Sequence, residues 1–282
     1  MRSNAPNGRP NDAAVAEALR HARYALETGQ PGDAERLAAD VLKADAGNRE
    51  AAKVLGYALM MLGRNAEAVT VLDKAAQGGR DPEAGTAYAI ALRQAGRVDD
   101  AVAAFRRTLK RDPSYPMAYF ELGKTFAAAS RIEDAIAVFS KGCAVAPAMA
   151  DMAARLGNCY LAAGDRKSAR QCFERVLSLA PGHYAAAEAL GIILMDDRDY
   201  AQAATLFRAM VTAEPGNAVA QLGLANCQLH LGKAEAAYAS MKVACARGAK
   251  YYGQALRIAV SAQRGRFWLR PSAAARALKS DS

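Results

Sequence analysis

The sequence predicts an all-α protein, and three observations predict it. Its 282 residues are 52% hydrophobic but only 7% aromatic, with alanine supplying much of the apolar content. Alanine has the highest helix propensity, whereas strands favour β-branched and aromatic side chains. A Leu-Gly pair recurs at Leu55-Gly56, Leu122-Gly123, Leu156-Gly157 and Leu190-Gly191, the last three 34 residues apart. Proline then closes three units, at Pro147, Pro181 and Pro215, where a helix cannot continue.

The repeat puts the elements in order. Twelve residues after each of those glycines stands an alanine: Ala68, Ala135, Ala169 and Ala203. Four residues further stands a large apolar side chain: Leu72, Phe139, Phe173 and Phe207. Weaker copies fall into the same register. Ala89, Ala101, Phe105 and Pro113 mark one unit; Ala225, Ala237 and Met241 mark another. Ala22 and Ala34 mark a degenerate first unit. The units run over 15–48, 49–81, 82–115, 116–149, 150–183, 184–217 and 218–251, one of them a residue short between Gly78 and Asp81. Residues 1–12 read as a disordered N-terminus, 13–251 as the repeat array, and 252–282 as a capping helix and basic tail.

Each unit reads as two amphipathic helices, A and B, joined by a tight turn. In the fifth unit, helix A is expected over Met152–Ala163, the turn at Gly164-Asp165, and helix B over Lys167–Leu179. Gly157 and Ala169 are expected to let facing backbones approach. Tyr160 and Phe173 are expected to fill the space around the pair. One such hairpin cannot bury its apolar face alone, so stacking must stabilise it. A further helix, about Tyr252 to Arg264, would shield the last open face, and a short helix capped by Ser272 would follow Pro271.

This 34-residue pattern resembles the tetratricopeptide repeat, over roughly residues 15–251. The resemblance implies a right-handed superhelical solenoid of antiparallel helix pairs, with helix A of each unit on the concave side. It also implies a protein-binding scaffold without catalysis. In that family, repeat positions 2, 5, 9, 12 and 13 face the groove. Carried over, the second unit supplies Lys53, Tyr57, Met60 and Met61. The third supplies Glu83, Ile90, Arg93 and Gln94, and the fourth Met117, Phe120 and Lys124. The fifth supplies Asp151, Asn158 and Leu161. The sixth supplies Glu188, Ile192, Met195 and Asp196, and the seventh Leu222, Asn226, Leu229 and His230. Such a groove is part apolar and bears methionine, a side chain that adapts to varied apolar partners. It suits an extended peptide or an amphipathic helix; the same residues could instead pack against neighbouring units. Family members that clamp the carboxylate tail of heat-shock chaperones need Lys at position 5, Asn at position 9 and Asn at position 6 of the next unit. Lys53 meets the first requirement, but Tyr57 and Ala87 fail the others, so that clamp is not expected.

Charge divides the chain. The net charge is +9, and residues 247–282 carry eight basic side chains and one acid, Asp281. Arg257, Arg264, Arg266 and Arg270 there interleave with Tyr251, Tyr252, Phe267 and the single tryptophan, Trp268. This basic end reads either as a capping helix with a solvated face or as a contact for an acidic protein or an anionic membrane surface. Nucleic acid is disfavoured.

No pattern points to catalysis, a cofactor or a metal. GxSxG, HExxH, GxxxxGK[ST] and GxGxxG motifs are missing. Five cysteines without CxxC spacing argue against disulfides and zinc ribbons. Cys159 and Cys227 share one repeat position, as do Cys143 and Cys245, which reads as shared packing. Met1–Asn11 lacks an apolar signal core, so a cytoplasmic location is expected. The expected function is a scaffold or adaptor for a peptide or helix. The alternative is an accessory subunit of a separate enzyme, of glycosyltransferase type, or of a pilus or secretion assembly.

Overall fold

The structure is a computed structural model that describes residues 12–77 and 81–261. The expected disorder of residues 1–12 falls almost wholly outside that range. So do the short helix after Pro271 and the tail residues Arg264, Arg266, Trp268 and Arg270. Among the described residues every regular element is an α-helix, and there are fifteen.

They form two compact units. The first contains four helical hairpins: α1 (Asp12–Glu27) with α2 (Pro31–Ala44), α3 (Arg49–Met61) with α4 (Asn65–Gln77), α5 (Pro82–Gln94) with α6 (Val98–Arg111), and α7 (Pro116–Ala128) with α8 (Ile132–Val145). The second contains three hairpins and a final helix: α9 (Ala150–Ala162) with α10 (Arg166–Leu179), α11 (Tyr184–Asp196) with α12 (Tyr200–Ala213), α13 (Ala218–His230) with α14 (Ala234–Cys245), and α15 (Ala249–Ser261). Within each unit the hairpins stack in chain order, as in an all-α solenoid.

Local chemistry sets the helix starts. Pro31, Pro82 and Pro116 stand in the first turn, where a missing N–H costs no hydrogen bond. The side chains of Asn48, Asp81, Asp165, Asp199 and Asn217 accept hydrogen bonds from the first-turn N–H groups of their helices, each cap contributing about 1 kcal/mol. α9 starts two residues before the expected Met152; Asp151 in its first turn complements the positive end of the helix dipole.

The hairpin turns repeat one backbone device. Gly29, Gly63, Gly96, Gly164 and Gly232 have φ between +73° and +80°. Ser130 and Arg198 hold the same place in the other two turns, at φ +57° and +64°. After each of them an N–H reaches back to a helix A carbonyl, as Arg64 N–H donates to Leu59 O at 2.8 Å and Asp199 N–H to Leu194 O at 2.8 Å. This is the left-handed helix stop with a 6→1 hydrogen bond.

Two columns of side chains make the core. Ala34, Ala68, Ala101, Ala135, Ala169, Ala203 and Ala237 are fully buried on the B helices. Four residues beyond them, Leu72, Phe105, Phe139, Phe173, Phe207 and Met241 are also out of solvent. The structure changes the role expected for Gly157. Its close neighbour is the Phe173 ring: a Cβ on Gly157 would lie 2.9 Å from ring carbons. Gly123 meets Phe139 at 2.5 Å in the same way, and Gly56 meets Leu72. The glycine therefore opens a slot for the large side chain of helix B, rather than only bringing two backbones together. Phe207 fills two slots, at Gly191 and at Gly223 of the next hairpin, each at 2.5 Å. It wedges one hairpin against the next.

The final helix starts earlier than the expected Tyr252. Gly248, at φ +148°, breaks the chain after α14, and α15 restarts at once. Ala255 and Ala259 of α15 join Leu222, Leu229 and Met241 in one core cluster, with Tyr251 and Tyr252 packed against it. The helix caps the second unit.

Candidate functional site

In the first unit, the helix A residues with groove positions are engaged with one another. Lys53 is buried, its side chain 8% exposed, although it sits at a predicted groove position. Its Nζ lies 2.8 Å from Glu50, 3.1 Å from Asp81 and 2.6 Å from Glu83. Burial disfavours the ammonium, but hydrogen bonds to Glu50, Glu83 and Asp81 outweigh it and hold the group above the ordinary lysine value. Half-buried Tyr57 stands nearby; burial, then the charge of Glu83, pushes its phenol up to about 12. Three carboxylates around one ammonium repel an anionic peptide end, so Lys53 is not an open cation on a groove wall.

The next helices repeat the arrangement. Arg93 Nη2 donates to Glu121 at 2.8 Å, and Lys124 Nζ donates to the other Glu121 oxygen at 2.8 Å. Lys124 also lies 5.3 Å above the Phe120 ring, which packs edge-on against Phe139 at 6.4 Å. Met60 and Ile90 are half-buried. Met61 and Met117 stay 53% and 41% exposed.

In the second unit part of the same set of positions stays open, although Leu222 and Leu229 are buried. Helices α11, α13 and α15 enclose a hollow of about 370 Å³, within the roughly 300–1,000 Å³ usual for ligand pockets. Glu188, Ile192, Met195, Leu222 and Asn226 line it, all at repeat positions nominated by the sequence. Arg257 lines it too, although in sequence it reads as part of the basic end. Ile192 and Val219 are 45% and 39% exposed. Phe207 is the floor, its ring seated at Gly223. Asn226 Nδ2 donates to Met195 Sδ at 3.6 Å, a weak bond that leaves its oxygen for another donor.

Not every nominated residue joins this hollow. Asn158 and Leu161 are exposed on α9 and do not line it. Leu229 is buried in the core. His230 stacks on Tyr200, ring centroids 4.0 Å apart. The repeat pattern leaves four lining residues unnamed: Val219, Gly223, Gln254 and Ile258. Val219 was findable, since it holds position 2 of its unit. The α15 pair was not, because α15 lies outside the repeat register.

Chemistry beyond binding finds little material. The buried thiols of Cys159 and Cys227 are pushed up by burial, Cys227 to about 12, so both stay protonated and unreactive at neutral pH. Among the described residues no cluster of three His, Cys, Asp or Glu side chains could hold a metal. Among them also, no helix is long and apolar enough to cross a membrane.

Comparisons with known proteins agree with this architecture. The chain is similar in fold to PilF of Pseudomonas aeruginosa, with TM-score 0.58 and 19% identity over 73% of this chain and 95% of that one. A tetratricopeptide repeat protein from Parabacteroides merdae gives TM-score 0.54 and 15% identity, covering 87% and 98%. A thermophilic repeat protein from Thermus thermophilus gives 0.52 and 18%, covering 64% and 99%. At such identities the likeness is one of fold. No curated protein matches the sequence. Family models for the tetratricopeptide repeat match residues 19–84, 86–151 and 154–218, and a second such model matches 194–257; with its stacked hairpins and 34-residue columns, the chain belongs to the tetratricopeptide repeat family.

Proposed function

We propose that the protein is a scaffold that holds an amphipathic helix or extended peptide of a partner protein in the hollow between α11, α13 and α15. The family fold is a general protein-interaction scaffold, typically without catalysis. The observation that carries the finer reading is the hollow itself: Ile192 and Met195 of α11 and Val219 of α13 present apolar surface to a concave space whose floor is Phe207. Apolar side chains in a concave site, with few polar groups to fix orientation, suit the apolar face of a peptide helix.

Paired variants test this. Ile192→Asp with Val219→Asp puts two carboxylates into the hollow, and both residues are exposed enough to spare the fold. Met61→Asp with Met117→Asp does the same on the first unit. Affinity capture with the native chain and both variants, each checked for helicity by circular dichroism, should lose the partner only with the first pair. A partner retained by that variant and lost with the second would move the site to the first unit.

A further inference from the structure

The cations around this hollow lack carboxylate partners among the described residues. Arg257 lines it from α15. Arg247 and Lys250 line an adjoining depression, and Val219 belongs to both. All three cations are exposed, and none forms a salt bridge among the described residues. Arg247 lies over Gly216, and Lys250 Nζ stands 4.8 Å from the Tyr251 ring. α15 contains no acidic residue. The acids nearby lie on other elements. Glu188 is on the α11 wall of the hollow. Glu214 borders the depression and accepts a hydrogen bond from Asn217 Nδ2 at 3.2 Å. The α15 edge is therefore basic, and the α11 wall carries an acid.

We propose that the occupant of the hollow is an acidic amphipathic helix of a partner protein, its apolar stripe seated on Ile192, Met195 and Val219 and its Asp/Glu edge running along α15. This rests on the reading of the hollow as a peptide site. Interfaces combine an apolar centre with a polar rim, and here the α15 rim beside the apolar centre carries cations with no salt bridge among the described residues. An acidic edge supplies the missing partners, while a basic edge would meet three like charges. Glu188 acts against the reversed orientation: an acidic edge turned toward α11 would face a carboxylate. Lys250 and Arg257 are seven residues apart, two helical turns, so they share one face and can track a single helix edge.

The test uses the full chain and three fluorescein-labelled synthetic helical peptides. All carry the same Leu/Phe stripe; the flanking positions are Glu, Gln or Lys. By fluorescence anisotropy the Glu peptide should bind on the order of tenfold tighter than the Gln peptide, and the Lys peptide most weakly. Added salt should shrink the difference. The double variant K250E/R257E should reverse the order, and Ile192→Asp should weaken all three peptides. Equal binding of the three, lost with Ile192→Asp, would leave the hollow a peptide site and overturn its acidic preference. Binding of none would overturn both readings. A Glu preference that survives in K250E/R257E would assign it to other cations and overturn the proposal. So would phosphatidylserine vesicles that bind through Lys250 and Arg257 while the Glu peptide does not.

Discussion

The two units use the same repeat positions for opposite ends. In the first, Lys53 reaches from α3 to Asp81 and Glu83 at the start of α5, and Arg93 of α5 reaches Glu121 of α7. The polar side chains of neighbouring A helices are spent on each other. In the second, Ile192, Met195 and Val219 leave apolar surface open, and Arg257 lines it without a salt bridge among the described residues. The framework does not differ: both units have the fully buried alanine column, the large side chain beyond it and the left-handed turn residue. Stability in stacked repeats comes from each repeat and its contact with the next. A helix A residue is thus free either to tie neighbours together or to stay open, and the first unit ties where the second leaves apolar surface exposed.

The wedge residues give the largest expected effect and should not distinguish the units. Phe139 and Phe207 are both out of solvent, each seated in a glycine slot. Replacing either with alanine should cost about 3–5 kcal/mol, read as a lower urea midpoint. Phe207→Ala should in addition weaken peptide binding, because it removes the floor of the hollow. If Phe139→Ala weakened binding equally, the site would not be confined to the second unit.

A charged pair of variants separates the units more sharply. Lys53→Met leaves three carboxylates facing one another. Removing one partner of a buried ion pair costs about 3–5 kcal/mol; here Asp81, Glu50 and Glu83 are 31%, 38% and 48% exposed, so water offsets part of it and about 2 kcal/mol is expected. Arg257→Met, on an exposed cation with no salt bridge among the described residues, should stay within about 0.5 kcal/mol. The pH dependence has a definite sign. Burial alone would raise the Asp81 carboxyl, but the hydrogen bonds from Lys53 and from the backbone of Ala84 and Glu83 hold it below the ordinary value. A depressed acid stabilises the fold above its unfolded pKa, about 4, and loses that contribution as pH falls through the lower folded value. The gap between native chain and Lys53→Met should be full at neutral pH and close below about pH 4. A gap that persists unchanged in acid would mean that packing of the lysine stem, not its charge, stabilises this region.

The sequence makes the framework legible and the surface much less so. The alanine and phenylalanine columns and the prolines closing units at Pro147, Pro181 and Pro215 repeat at fixed spacing, and one chain suffices to show them. Gly157 and Phe173 both stand out in the sequence as close neighbours, but that the ring fills the glycine's own slot follows only from the geometry of the hairpin. Lys53 looks open in sequence because its neighbours Asp81 and Glu83 stand 28 and 30 residues away, on the next hairpin. Arg257 looks like part of a basic tail because α15 has no repeat register to place it opposite Ile192. What decides cohesion or recognition is the pairing of side chains across repeats, and a one-dimensional period does not encode it.

A small predicted gain tests whether the framework is as uniform as the comparison requires. Ser130 in the first unit and Arg198 in the second adopt the left-handed conformation that glycine adopts in the other five turns. A side chain in that region costs roughly 1–2 kcal/mol, and glycine returns about half of it as entropy of the unfolded chain. Ser130→Gly and Arg198→Gly should therefore each stabilise by about 0.5–1 kcal/mol, a rise in melting temperature of roughly 1–4 °C. Both residues are exposed, and neither touches the hollow, so peptide affinity should not change. Equal gains would place the difference between the units on their helix A faces alone. A gain at Ser130 with a loss at Arg198 would show that the second unit also differs in its turns, and that the open face there has a structural as well as a chemical cause.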